Sequence, residues 1–184
     1  MAWTDRRPGV RPRPSFGRRL DVAARAGFPA AATVLLMLLI EAPLGITGQA
    51  ALLPAVAICC VWFWSLAQPT CLPPPAVFII GLLLDLLAYL PFGVGTLTLL
   101  SCHGIAVAVR RHLLRCGFMV IWLSFLPIAA GAALLMWLLV ALLMFRLLSP
   151  APALLQAIVT IALYPTLAVP LAAAQRSITN PERA

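Results

Sequence analysis

Residues 73–100 read PPPAVFIIGLLLDLLAYLPFGVGTLTLL. Two apolar runs, Ala76–Leu90 and Gly93–Val109, are joined by a turn as short as Pro91-Phe92. One carboxylate, Asp85, interrupts the first run. A charge at membrane depth is costly, so it requires a partner, a proton or a water-lined cavity. Gly81, Gly93 and Gly95 surround it and let helix backbones approach closely. The stretch predicts a helical hairpin inside a membrane, built around a single acid.

The rest of the chain agrees with that solvent. It has 184 residues, 63% hydrophobic and 10% charged, with a mean hydropathy of +1.04. Soluble domains are about half apolar and about a quarter charged. No alternation of period two recurs over strand-length segments, which argues against a β-barrel. Continuous apolar runs instead predict an all-α integral membrane protein, a six-helix transmembrane bundle.

Working outward from the hairpin, the spans are expected at 28–47, 50–66, 76–90, 93–109, 118–145 and 153–174. The second ends in Trp62-Phe63-Trp64, expected as an aromatic belt at head-group level. Gln68–Pro75 is a stiff loop that cannot continue a helix. The fifth is about 42 Å long at 1.5 Å per residue, so it must tilt, kink at Pro127 or project. The sixth contains Pro165 and Pro170, and Tyr164-Pro165 is a place where the backbone opens or kinks.

Residues 1–27 form a basic tail, expected to be disordered, with Gly17–Gly27 a possible short surface helix. Residues 175–184 form a polar tail. The net charge is +8 without any lysine, and seven of the thirteen arginines fall in the first 25 residues. With six spans and a cytoplasmic amino terminus, twelve arginines lie inside and only Arg146 outside. That satisfies the positive-inside rule and places both termini in the cytoplasm. No aromatic interleaving or nucleic-acid module accompanies the arginines, so they mark membrane side and no nucleic-acid partner is expected. The five cysteines lack metal-ligand spacing, so neither a disulfide nor a metal site is expected. No cofactor motif or catalytic constellation is present, and the chain is not expected to be an enzyme.

Several residues stand out as candidates. Counted along an ideal hairpin, Thr98 lies at the same depth as Asp85, roughly 7–8 Å from the turn. A Thr98–Asp85 hydrogen bond is therefore expected, and on that basis Asp85→Asn should be mild. Asp85 is either such an interhelical tie or a proton or ligand site; no second intramembrane charge is an evident relay, which favours the tie. His103, about 15 Å down the fourth span, is expected to be a satisfied core histidine. Gly131 and Ala132, within Ala129–Ala133, form a small-residue patch, either for the bundle's own core or for a partner helix.

The hairpin resembles the signature region of the rod shape-determining protein MreD family, which shows an apolar G-L-L-x-D-L segment followed by a P-x-G turn. Here these are Gly81, Leu82, Leu83, Asp85, Leu86, Pro91 and Gly93. The likeness extends to Arg18-Arg19-Leu20-Asp21, the aromatic end of the second span and Leu163-Tyr164-Pro165. Family members often carry an acidic residue where this chain has Thr70, and asparagine where it has Gly95-Thr96. The resemblance implies a scaffold of the bacterial elongation machinery in the inner membrane. Its implied partners are an MreC-like bitopic protein, MreB, RodA, a penicillin-binding transpeptidase and membrane lipid. It also implies a fold similar to the S-components of energy-coupling-factor transporters. The alternative function, from another class, is an S-component-like small-molecule transporter subunit. A substrate pocket needs several convergent polar groups, and the spans offer few.

Overall fold

The structure, a computed structural model, describes the backbone of residues 16–41, 49–145 and 149–179, and the side chains of residues 27–41, 51–145 and 149–176. The described residues form six helices and no strand: α1 (Phe16–Glu41), α2 (Gln49–Ala67), α3 (Pro74–Leu87), α4 (Val94–Leu113), α5 (Phe118–Met144) and α6 (Ala151–Thr179). The expected disorder of residues 1–15, the far end of the first span beyond Glu41, Arg146 and the end of the carboxyl tail lie outside these residues. Within them, Gly17–Gly27 is no separate element, because α1 runs through it from Phe16.

Helix α2 is the middle of the bundle. Its sequence is apolar all round, which suits a helix enclosed on every side. Leu53 to Trp62 are buried without a break. α6, α4 and α1 pack against it, α3 lies on α4, and α5 bridges α4 and α6. The helices alternate in direction. Phe28, midway along α1, meets Trp64 near the end of α2, with ring centroids 6.1 Å apart. At that same end Arg110, late in α4, reaches the last carbonyls of α2.

The outer surface is apolar. Leu35, Ile79, Leu123, Leu142, Ile158 and Val169 are each more than 60% exposed. Many of the polar side chains turn inward: Thr33, Ser65, Asp85, Thr96, Thr98, His103, Gln156 and Thr160 are all buried. α5 and α6 are long and apolar enough to cross a membrane. Both are continuous helices through Pro127, Pro165 and Pro170.

Two expectations about local structure are corrected. Trp62 and Trp64 are fully buried instead of forming a belt. The cause is the central position of α2, which leaves its aromatic end enclosed by α1, α5 and α6. The hairpin turn is also longer than Pro91-Phe92. α3 stops at Leu87, and α4 starts at Val94. Tyr89 adopts a left-handed conformation at φ 51°, and the Leu90 N–H donates to the Asp85 carbonyl at 3.0 Å. This is the six-to-one bond that closes a helix at a left-handed residue.

Candidate functional site

The longer turn repositions Asp85. The acid lies two residues from the end of α3, about 3 Å along the axis, beside the start of α4. The N-cap of helix α4 is Gly93, whose φ of 99° suits glycine and which has no side chain to offer. The first N–H groups of any helix lack partners within it. Asp85 supplies them from the neighbouring helix. Its Oδ1 accepts from the Gly95 N–H at 2.5 Å. Its Oδ2 accepts from the Gly93 N–H at 2.9 Å, the Thr96 N–H at 3.3 Å and the Thr96 hydroxyl at 3.0 Å.

Asp85 is thus an N-cap borrowed from another helix. All four partners are donors, which matches the acceptor-only character of a carboxylate. The positive end of the α4 dipole adds to the attraction. In soluble helices a capping side chain is worth about 0.5–2 kcal/mol, and a buried donor left unpartnered costs about 1–3 kcal/mol. Several donors depend on this one carboxylate, so the hairpin depends on it heavily.

Two glycines make the approach possible. A Cβ on Gly81 would overlap the Cα of Thr96, and a Cβ on Gly95 would sit 2.7 Å from the Asp85 Oδ1. Gly93 plays a different part from the close packing expected of it: nothing lies within 4 Å of a Cβ there, and its role is the left-handed turn. Pro91 precedes it, and its carbonyl accepts from the Val94 N–H at 3.2 Å.

The expected Thr98–Asp85 bond is absent. The Thr98 hydroxyl donates to the Val94 carbonyl at 2.7 Å, within its own helix. The depth count assumed a two-residue turn, and the real turn moves the α3 end toward the first residues of α4. Thr96 takes the role instead. The signal was in the sequence: a glycine N-cap leaves a helix start without its own acceptor, and Asp85 is the acid that can reach it.

His103 lies elsewhere, about 12 Å along α4 from Gly95. Its Nδ1 is 2.8 Å from the Ser65 Oγ of α2. A serine–histidine pair has nucleophile–base geometry, but Ser65 is fully buried. The pair ties α2 to α4. A second tie lies at the same end of α2, its carboxyl end, where the Arg110 Nε donates to the Leu66 carbonyl at 2.7 Å and Nη2 to the Ala67 carbonyl at 3.4 Å. A cation is favoured at a helix carboxyl end.

The small-residue patch of α5 divides between two faces. Ala129, Ala132 and Ala133 are buried, whereas Gly131 is exposed and a Cβ on it would meet nothing within 4 Å. Successive helical residues are rotated by about 100°, so Gly131 and Ala132 cannot share one contact.

Two cavities lie at opposite ends of the bundle. One, of about 250 Å³, is bordered by Pro54, Ala88, Leu90, Trp137, Pro152 and Gln156. The other, of about 220 Å³, is bordered by residues of α2, α5, α6 and the segment after α4. No family model matches the chain, and no curated protein or solved structure does either.

Proposed function

We propose that the chain is a six-span inner-membrane scaffold subunit of the bacterial cell-shape and elongation machinery, of the MreD kind. What supports the membrane reading is the distribution of polarity: many large apolar side chains lie outside, while Asp85, His103, Thr33, Thr96, Thr98 and Thr160 lie inside. The arginine distribution supports cytoplasmic termini.

The observation that carries the functional reading is the employment of Asp85. The residues by which the hairpin resembles the MreD family include Gly81, Asp85 and Gly93, and these build the hairpin itself. A signature whose acid caps a helix and whose glycines seat a crossing is architectural. It suits a protein whose helix faces hold partners better than one that moves protons or performs chemistry. The expected partners are an MreC-like bitopic protein first, then MreB, RodA and a penicillin-binding transpeptidase.

Depleting the protein from its own rod-shaped host is expected to round the cells and delocalise lateral wall synthesis, and an MreC-like protein should co-purify with it. Unchanged shape with failed uptake of a small nutrient would replace this reading with an S-component-like transporter subunit. One observation favours that second reading: the 250 Å³ cavity beside the hairpin turn has Gln156 at its edge.

A further inference from the structure

The end of the bundle that carries Arg110 joins an apolar cavity to cationic side chains. The cavity, of about 220 Å³, is walled by Phe63, Leu114, Phe118, Tyr164, Ala168 and Ala172. Phe118 and Tyr164 stack nearly parallel, 10° apart, with centroids separated by 6.4 Å. The Arg110 guanidinium sits at the edge, because Leu66 and Ala67, whose carbonyls it binds, border the same space. Arg115 directly follows the bordering Leu114, and Arg176 directly follows the bordering Gln175. Arg111 precedes Leu114 by three residues, which is one helical face. Arg111, Arg115 and Arg176 are exposed.

Nothing among the described side chains balances these charges. The two described acidic side chains, Glu41 and Asp85, lie at the opposite end, and Asp85 is engaged there. A counter-anion bound here comes from outside the described residues, and it must tolerate an apolar cavity immediately beside it. A phospholipid satisfies both demands, with its phosphate among the arginines and part of one acyl chain in the cavity. The volume is below the roughly 300–1,000 Å³ typical of pockets for whole small molecules, which suits a segment of chain. Basic pockets between helices at the cytoplasmic side are suited to anionic head groups.

We infer that this end of the bundle is a binding site for one anionic phospholipid of the cytoplasmic leaflet, held by Arg111, Arg115 and Arg176 at its phosphate and by the Phe118–Tyr164 cavity at its chain. The site rests on the membrane reading and its orientation.

The test uses the full chain in detergent, probed with phosphatidylglycerol, phosphatidylcholine and inorganic phosphate by native mass spectrometry and thermal unfolding. One phosphatidylglycerol per chain should bind in preference to phosphatidylcholine and raise the unfolding temperature. Changing Arg111, Arg115 and Arg176 together to glutamine should weaken that binding on the order of tenfold or more. Since all three side chains are exposed, the lipid-free unfolding temperature should stay unchanged. Filling the cavity with Ala172→Leu should weaken phosphatidylglycerol binding while the arginines remain. Equal binding of the two lipids, selectivity indifferent to the three arginines, or binding indifferent to Ala172→Leu would each overturn the site. Full competition by millimolar inorganic phosphate would overturn the lipid as occupant and leave a free-anion site. Orientation is read separately by thiol labelling of Cys116 in cells. Outside labelling there would refute the cytoplasmic placement even if lipid selectivity were intact.

Discussion

Gly81 of α3 lies against the Cα of Thr96 in α4, so closely that a methyl group on Gly81 would overlap it. The two helices meet backbone to backbone at the point where Thr96 also donates to Asp85. Small residues at such a crossing are what helix association in lipid requires.

Gly81→Ala is therefore expected to force α3 and α4 apart and lower the amount of folded protein, with Gly95→Ala acting the same way through Asp85 and Leu84. Gly104→Ala is the control. A Cβ there meets nothing within 4 Å, and alanine should be neutral or stabilise the helix by about 0.5–1 kcal/mol. Thermal unfolding of the purified variants orders the three. Equal stability of Gly81→Ala and Gly104→Ala would refute the tight crossing.

The second prediction separates the two faces of α5. Gly131→Leu should leave folding intact, since the position opens outward, whereas Ala132→Leu overfills a buried contact and should destabilise by about 1–3 kcal/mol. Co-purification of an MreC-like partner then reports on the outer face alone. Loss of the partner with normal abundance in Gly131→Leu would mark that face as its contact, and degradation of Gly131→Leu would contradict the exposed placement.

Orientation gives the third. Cys71 and Cys116 lie in loops at the end that carries Arg110, and Cys116 is exposed there. In single-cysteine variants, a membrane-impermeant thiol reagent added to intact spheroplasts should label neither, and permeabilisation should expose Cys116. Labelling from outside before permeabilisation would invert the topology.

The hairpin was legible because Asp85 is conspicuous in its apolar run, and glycines beside an acid announce close backbones. The partner of Asp85 was not legible by counting depth, because Tyr89 stops α3 early and the count assumed an ideal turn. Trp62 and Trp64 misled for another reason. Aromatic residues at a span's end suit an interface equally well as a core, and only the central place of α2 decides between them. Ser65 and Arg110 were not singled out as partners, since their ties depend on which helices become neighbours. Gly131 and Ala132 looked alike as small residues, and the helix rotation assigns them to different faces.

The central claim is that Asp85 is an architectural cap, and the direct measurement is the thermal stability of Asp85→Asn and Asp85→Leu beside their cellular abundance. Because both carboxylate oxygens accept bonds, an amide must turn its NH₂ toward a backbone donor. Asp85→Asn is therefore expected to be destabilising, by about 1–3 kcal/mol, and milder than Asp85→Leu, which leaves every donor at the start of α4 without its acceptor. Cell shape should fail in step with abundance. Asp85→Asn protein that unfolds at the wild-type temperature, accumulates to the wild-type level and yet has lost its function would contradict the cap and make Asp85 a proton or ligand site.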